Sequence, residues 1–86
     1  MKKIFSDDGW DDYLYWQAQD KKTLKRINAL LLDVERNGHI GIGRPELLKE
    51  QAGYWSRRIN EKDRLIYKIA DGAILIAQCR THYGDN

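Results

Sequence analysis

The feature that most constrains the fold is a change in the spacing of apolar residues near Gly53. Before Gly53 these residues recur every three or four positions, which is typical of helices; after it they alternate within short segments, which is typical of strands. Helices in one half and strands in the other favour an α+β domain over repeated βαβ units. Because 86 residues supply one modest core, we treat residues 1–86 as a single domain.

The first half of the chain predicts two helices that form a hairpin with almost no loop. Ser6 or Asp7 can cap the first helix. Its residues at helical spacing are Trp10, Tyr13, Leu14 and Gln17, and we expect the first three to face the core. Tyr15 and Trp16 lie off this stripe, which favours a surface position for both, at a contact between subunits.

Asp20 can cap the second helix, and Asn37-Gly38 can end it. The apolar stripe of this helix comprises Leu24, Ile27, Leu30, Leu31 and Val34. The following segment, "NGHIGIGRP", contains three glycines and the only proline, so it predicts a loop in which His39 is solvated. Pro45 can then open a short helical turn through "ELLKE".

The second half predicts a three-stranded antiparallel meander. Its strand-like segments are "YWSRRIN", "RLIYKIA" and "AILIAQCRTHY", joined by the polar "NEKD" and by "ADG". An edge strand in "KKIF" enlarges the sheet, and the helical hairpin covers one of its faces. The predicted fold is a two-layer α+β domain with an N-terminal helical hairpin on a small twisted antiparallel sheet.

The other face of the sheet should be solvated and partly cationic, because a sheet buried on both faces is almost uniformly apolar. The polar residues within the strand segments are Ser56, Arg58, Arg64, Lys68, Gln78, Arg80 and His82. Planar guanidinium groups suit phosphate, and the candidate phosphate ligands here are Arg57, Arg58, Arg64 and Arg80. The neighbouring His82 and Tyr83 suggest phosphoryl chemistry, although strand arginines also commonly decorate a solvated face.

The turn between the last two strands decides whether Arg64 and His82 can share that face. A regular two-residue turn at Asp71-Gly72 places Arg64 opposite Cys79, and therefore on the other face from His82. If Arg64 and His82 form one site, the sequence predicts an odd-length loop, a β-bulge, or a chain end that twists out of register.

Two further groups of charged residues are candidates for function. Glu46 and Lys49 are three residues apart, so a helical turn would point both the same way, either as a base and a phosphate ligand or as an ordinary exposed ion pair. A row of cations at the start of the second helix opposes the helix dipole and comprises Lys21, Lys22, Lys25 and Arg26. This row indicates either a polyanion partner or a solvated surface.

Composition excludes several classes of function. A net charge of +2 is far below that of a highly basic nucleic-acid binder, so any basic patch is local. Cys79 is the only cysteine, which excludes an intrachain disulfide and a cysteine-rich zinc site, and the two histidines are distant. No segment has the character of an export signal or a membrane span, so we expect a cytoplasmic location and no metal or membrane partner.

The ordered motifs "DDYLYWQ", "GRPELLK", "YWSRRI", "RLIY" and "CRTHY" resemble the YoeB (Txe) family of bacterial toxins, within the RelE/ParE superfamily of toxin–antitoxin systems. The resemblance runs from Met1 to Tyr83. It implies a RelE-like microbial ribonuclease fold and a metal-independent, cofactor-free endoribonuclease that cleaves mRNA in the A site of the 70S ribosome, inhibiting translation. It further implies a homodimer and a YefM-like antitoxin, with operator DNA bound only through that antitoxin.

The same resemblance implies roles for the residues at matching motif positions. Glu46 takes the place of the general base, and His82 with Tyr83 takes the catalytic end of the chain. The positions that bind and stabilise phosphate fall on Lys49, Arg58 and Arg64. This set is chemically coherent, because RNA carries its own 2′-OH nucleophile and needs only a base, cations for the phosphorane and an acid for the 5′-oxygen.

Two other functions remain open at this point. A ParE-like toxin would poison gyrase and needs no acid–base set, which Glu46, His82 and Tyr83 argue against. A non-enzymatic module for RNA binding or antitoxin docking would keep the cationic sheet without turnover.

Overall fold

The computed structural model of the protein describes residues 1–81. The elements of this part are β1 Lys2–Phe5, α1 Asp7–Gln19, α2 Lys21–Asn37, β2 Glu46–Leu47, β3 Trp55–Arg58, β4 Arg64–Ala70 and β5 Ala73–Gln78. The strands form one five-stranded sheet in the order β1-β5-β4-β3-β2. Together with the two helices, this sheet confirms the predicted two-layer α+β architecture.

The sheet is antiparallel except at one edge. β3, β4 and β5 form the predicted meander, and β2 extends it antiparallel to β3. β1 is an edge strand, as predicted, but it pairs with β5 in parallel. Parallel neighbours need a long crossover connection, and here the chain between them runs through both helices and then through β2, β3 and β4. The sequence pattern did not predict this parallel edge.

Residues 46–47 form a strand, so the predicted helical turn after Pro45 was wrong. Glu46 pairs with Ser56 and Leu47 with Trp55, and the N–H of Leu48 donates to the carbonyl oxygen of Tyr54 at 2.9 Å. The edge of β3 offers this segment backbone hydrogen bonds, whereas a single helical turn leaves most of its N–H groups without partners. Glu46 and Lys49 therefore do not share a helix face.

Both helices begin at predicted capping residues. The hydroxyl of Ser6 accepts a hydrogen bond from the N–H of Gly9 at 3.0 Å. The carboxylate of Asp20 accepts from the N–H groups of Lys22 and Thr23. Because Asp20 also ends α1, a single residue joins the helices, which confirms the predicted hairpin. Gly38 ends α2.

The predicted stripe of α2 is confirmed, but that of α1 was partly wrong. Trp10 and Leu14 are 47% and 41% exposed, whereas Trp16 is buried and its Nε1 donates to the carbonyl oxygen of Cys79 at 2.8 Å. The surface position expected for Trp16 was therefore also wrong. The reason is that α1 starts where β1 ends and packs against the next part of β5. The side of the helix that carries Trp16 therefore faces the core.

The core lies between the helices and one face of the sheet. Its buried apolar residues are Trp16, Ile27, Leu30, Leu31, Val34, Ile59, Leu65, Tyr67, Ile74, Ile76 and Cys79. Leu65 and Tyr67 alternate along β4, and Ile74 and Ile76 along β5, as strands covered on one face require. No helix in residues 1–81 is both long and apolar enough to cross a membrane.

A β-bulge shifts the register between β4 and β5. Asp71-Gly72 forms a two-residue turn in which both φ angles are positive, 51° and 73°, as a type I′ turn requires. Tyr67 pairs with Ile76, but Ile66 pairs with Gln78, so one residue of β5 is left over between them. Of the three arrangements predicted, the structure has the bulge, which places Gln78 on the same face as Ile66.

Candidate nucleic-acid site

The sheet face opposite the helices, here the open face, carries its side chains in rows across the strands. Strand pairing aligns Glu46, Ser56, Ile66 and Gln78 in a central row. Paired residues point to the same face, and residues two apart along a strand share that face. Ser56 and Ile66 are buried in the middle of the face. The prediction that Ser56 is solvated was therefore wrong. Glu46 is exposed at the β2 edge of this row.

The next row contains arginines, and we call it the arginine row. Arg58 on β3 pairs with Arg64 on β4. We group with them Arg80, which follows Gln78 by two residues in the bend just after β5. In residues 1–81 no carboxylate forms an ion pair with any of these three side chains. Because like charges side by side repel each other, an anion bound to the row would stabilise it.

Local contacts hold two members of the arginine row in place. Nη1 of Arg64 donates to the carbonyl oxygens of Asn60, Glu61 and Asp63 at 3.1, 3.3 and 3.2 Å. The guanidinium carbon of Arg80 lies 3.8 Å from the ring centroid of Tyr15, a cation–π contact. The arginine row is therefore partly preorganised before any ligand binds.

Glu46 lies one row from the arginines. Its partner Ser56 and Arg58 are two residues apart on β3, which corresponds to about 6.6 Å along a strand. Glu46 forms no ion pair with any residue that the structure describes. Lys49 is exposed between β2 and β3, so its place in the site stays a prediction.

Arg57 differs from the other arginines, and its predicted role as a phosphate ligand was wrong. It is fully buried on the helix-covered face, where its guanidinium pairs with the carboxylate of Asp33. Nη1 also donates to the carbonyl oxygen of Ile42 at 3.0 Å, Nη2 to that of Gly38 at 2.6 Å, and Nε to the hydroxyl of Tyr67 at 3.2 Å. With its nitrogens engaged inside the protein, Arg57 is not available to a phosphate.

The pairing of Asp33 with Arg57 has an electrostatic consequence. The Arg57 guanidinium holds the pKa of the Asp33 carboxyl below its usual range, and hydrogen bonds from Asn37 and from the N–H of Ile42 act in the same direction. Asp33 is therefore ionised throughout the neutral range. Sequence reasoning missed Asp33, since an acidic residue on an amphipathic helix carries no sign that it faces a buried cation.

His39 lies against aromatic rings, so the prediction that it is solvated was wrong. Its ring stacks on Trp55 with centroids 4.0 Å apart and planes 7° apart, and Tyr67 lies 5.9 Å away. Nδ1 is buried and has no hydrogen-bond partner among the described residues. Burial, followed by the nearby Arg57 charge, lowers the pKa of His39, which favours the neutral ring.

Two buried carboxylates hold the segment that follows β5. Asp12 accepts a hydrogen bond from the N–H of Cys79 at 3.0 Å, and Asp63 accepts from the N–H of Thr81 at 2.7 Å. The hydroxyl of Thr81 also donates to the carbonyl oxygen of Lys62. His82 and Tyr83, the predicted catalytic end, lie outside the described residues. Sequence reasoning missed both carboxylates, because nothing in the segments that contain them shows that these particular side chains are buried.

The cation row of α2 meets the sheet near the arginine row. Nη2 of Arg26 donates to the carbonyl oxygen of Arg58 at 3.3 Å. The remaining members of the row, all exposed, are Lys21, Lys22 and Lys25. Arg26 therefore joins the start of α2 to the end of the strand that carries Arg58.

The described residues offer no obvious place for a metal or a reactive thiol. No group of three or more His, Cys, Asp or Glu side chains within residues 1–81 is placed to hold a metal ion. Burial raises the pKa of the Cys79 thiol to about 12, and the charges of Asp12 and Asp63 act in the same direction. Cys79 is therefore a protonated packing residue.

Comparison with known proteins identifies the class. The sequence profile of a family described as "YoeB-like toxin of bacterial type II toxin-antitoxin system" matches residues 5–83. Toxin YoeB of Escherichia coli strain K12 is 52% identical over 84 residues, which cover 96% of this chain and 100% of that protein. Toxin YoeB of a Synechocystis strain is 54% identical over 84 residues, covering 96% and 98%.

Solved structures agree with the sequence comparison. The YoeB chain of a heterotetrameric YoeB–YefM toxin–antitoxin complex from Staphylococcus aureus superposes with a TM-score of 0.91 at 47% identity, covering 96% of this chain and 98% of that one. The fold and these matches define a toxin of a type II toxin–antitoxin system. Within that class, the chain belongs to the YoeB family.

Proposed function

We propose that this protein is a ribosome-dependent endoribonuclease that cleaves mRNA in the ribosomal A site and so inhibits translation. The observation that carries the proposal is the arginine row, which has no carboxylate partner among the described residues and lies one row from Glu46. A phosphate bound at the arginine row would lie within reach of a carboxylate base on the same face.

The proposed reaction uses the 2′-OH of the RNA as its nucleophile. Glu46 removes the 2′-OH proton as the oxygen attacks the adjacent phosphorus. Arg58, Arg64 and Lys49 stabilise the negative charge that develops on the non-bridging oxygens. The bond to the 5′-oxygen then breaks, which leaves a 2′,3′-cyclic phosphate on one fragment and a 5′-hydroxyl on the other. No covalent bond to the protein forms.

His82 is the proposed general acid that protonates the departing 5′-oxygen, and Tyr83 stacks on a base or orients His82. A bridging sulfur at the 5′ position separates this role from mere binding, because a thiolate leaves without protonation. On that substrate we expect His82→Ala to recover most of its lost rate, while Glu46→Gln stays slow. Equal defects of His82→Ala on the oxygen and sulfur substrates would remove His82 from the acid role.

Partners are proposed from the relatives. A Staphylococcus aureus YoeB has been solved as a dimer, with a TM-score of 0.90 to this chain at 48% identity over 96% of this chain and 98% of that one; the heterotetramer named above pairs YoeB with YefM. We propose that this chain likewise forms a homodimer and binds a YefM-like antitoxin in the cytoplasm, where ribosomes are found. It would reach operator DNA only through the antitoxin.

The cation row of α2 is the proposed contact with ribosomal RNA. Displaced counterions make such binding weaken steeply as salt is added. Reversing the charges of Lys21 and Lys25 should lower the salt slope of ribosome binding without changing the cleavage rate of the saturated complex. Equal ribosome binding by this variant and wild type at several salt concentrations would show that the row is only a solvated surface.

The experiment that tests the proposed function is primer extension on mRNA in a translating extract, with wild type and Glu46→Gln. We expect cleavage within the reading frame that disappears in Glu46→Gln. A gyrase poison would leave the mRNA intact and trap cleaved DNA instead, and a binding module would stall translation without cutting. Either result would contradict the proposal.

A further inference from the structure

The loop between α2 and β2 is held by an ion pair, which we call the loop anchor and which consists of the buried Arg57 and the half-buried Asp33. The Arg57 guanidinium binds the carbonyl oxygens of Gly38 and Ile42, at the two ends of a five-residue stretch. The Asp33 carboxylate accepts from the N–H of Ile42 at 3.0 Å. Both backbone groups of Ile42 are thus bound by the anchor.

The loop backbone lies directly on the loop anchor. Gly41 has a φ of 150°, and a Cβ at this position would collide with the Asp33 carboxylate and lie 3.2 Å from Nη1 of Arg57. Only glycine allows so close an approach. The position of the loop is therefore set by contact with this ion pair as well as by its hydrogen bonds.

The loop anchor lies a short distance along the chain from Glu46. After Ile42, the carbonyl oxygen of Gly43 accepts from the N–H of Arg58 at 2.6 Å, and Glu46 follows three residues later. β2 contributes only two residue pairs to the sheet, which by themselves hold a strand weakly. The direction in which Glu46 enters the open face therefore depends on the loop before it.

We propose that Arg57 and Asp33 are positioning residues for Glu46: from the covered face of the sheet they fix the loop that brings this carboxylate to the arginine row. This inference rests on the proposed function, because it assigns the anchor to the base of that reaction. The side chain of Arg57 does not touch RNA, and its effect on cleavage passes through Glu46.

A double-mutant cycle tests this dependence. Single-turnover cleavage on programmed ribosomes is measured for wild type, Arg57→Lys, Glu46→Gln and the double variant. A lysine cannot reproduce the four contacts of the guanidinium, so we expect Arg57→Lys to lower the saturated rate by about 10- to 100-fold. The ribosome concentration that gives half of the maximal cleavage rate should stay within about twofold of the wild-type value. In the Glu46→Gln background the further loss should be less than about twofold.

Gly41→Ala gives a second route to the same displacement with Arg57 intact. Its added methyl group should push the loop off the anchor, slow cleavage, and speed hydrogen exchange at the Ile42 amide. Gly72→Ala is the matched control, because Gly72 also has positive φ but lies at the distant hairpin turn with nothing near its Cβ. We expect Gly72→Ala to lose some stability while keeping the saturated cleavage rate and the Ile42 protection.

The outcomes separate this inference from the proposed function. A Glu46→Gln variant that cleaves as fast as wild type would overturn the role of Glu46, and with it the positioning of a base. If Glu46→Gln is slow but Arg57→Lys lowers the rate equally in both backgrounds, the proposed function stands and the positioning role is overturned. If Arg57→Lys does not fold, Gly41→Ala decides: unchanged cleavage despite faster Ile42 exchange would contradict the proposal.

Discussion

Arg57 and Arg58 are neighbours in sequence, and the two faces of the sheet use them in opposite ways. On the covered face, Arg57 is fully buried, paired with Asp33 and bonded to two loop carbonyls. On the open face, Arg58 is exposed, pairs across the strands with another arginine, and has no carboxylate partner among the described residues. One residue type therefore serves structure on one face and stays exposed without a carboxylate partner among the described residues on the other.

The difference follows from the two-residue period of a strand. A buried guanidinium must find hydrogen bonds inside the protein, because burial without them costs several kcal/mol. An exposed guanidinium stays hydrated and can exchange that water for phosphate oxygens. The side of the sheet, more than the residue itself, separates the structural Arg57 from Arg58, to which we assign the proposed phosphate contact.

The largest expected effect is on stability, from removal of the covered arginine. Arg57→Ala should lower the free energy of unfolding by about 3 kcal/mol, because it leaves the carbonyls of Gly38 and Ile42 unpaired and opens a cavity. Arg58→Ala should change it by less than about 0.5 kcal/mol. Urea denaturation measures the free energy of unfolding of both variants. Equal decreases in the two would contradict the distinction between the covered and the open face.

The next effect concerns the buried carboxylate beside the open face. Asp63→Ala should cost about 2 kcal/mol, because it leaves the N–H of Thr81 and the side-chain amide of Asn60 without an acceptor. Glu61→Ala, an exposed neighbour in the same turn, is the control and should cost less than about 0.5 kcal/mol. Hydrogen exchange at the Thr81 amide should speed up only in Asp63→Ala; unchanged protection there would show that Asp63 does not hold this segment.

A smaller effect is a pH dependence that originates on the covered face. Burial and the Arg57 charge lower the pKa of His39 from its ordinary value of 6.5. Below pH 6.5 the unfolded chain therefore binds this proton more readily than the folded protein, so stability should fall as the pH drops through that range. Between pH 8 and 5, the free energy of unfolding should therefore depend less on pH in His39→Gln than in wild type. An equal slope in the two proteins would show that His39 is not the source of this pH dependence.

The smallest effect belongs to an exposed cluster at the β1 edge. The ammonium group of Met1 and the side chain of Lys3 bind Glu35 and lower its pKa to about 2. A lowered carboxyl pKa stabilises the fold above about pH 4.5, and this contribution is lost as the pH falls toward 2. Glu35→Gln should be slightly less stable than wild type at neutral pH and equally stable near pH 2. Thermal unfolding of both proteins at the two pH values measures this difference. A difference that persists near pH 2 would point to packing.

Local sequence signals predicted most of the fold. The caps at Ser6 and Asp20, the stripe of α2 and the strand meander all follow from residues close together in the chain. A departure from regular hairpin pairing was also predictable, because the resemblance required Arg64 and His82 on one face and a regular Asp-Gly turn would have separated them. The sequence left open whether an odd-length loop, a bulge or a twisted chain end would provide it, and the structure has the bulge. The parallel edge and the short strand at Glu46 were not, since both depend on pairing with distant strands.

The candidate site was predictable only on its open face. The shared face of Arg58 and Arg64 follows from the strand period, whereas Glu46 reaches that face only through its pairing with Ser56, which the sequence did not predict. The burial of Arg57 and its pairing with Asp33 were not visible, because the sequence does not show which arginine faces the helices. The carboxylates that hold Cys79 and Thr81 were hidden for the same reason: burial is a property of the assembled fold.

The central claim is that the arginine row on the open face stabilises the scissile phosphate. Single-turnover mRNA cleavage on saturating programmed ribosomes tests it with Arg58→Ala, against Arg36→Ala as an exposed cation at the far end of α2. The account predicts a rate about 100-fold below wild type for Arg58→Ala, with unchanged unfolding, and a wild-type rate for Arg36→Ala. Equal cleavage rates for the two variants would contradict it.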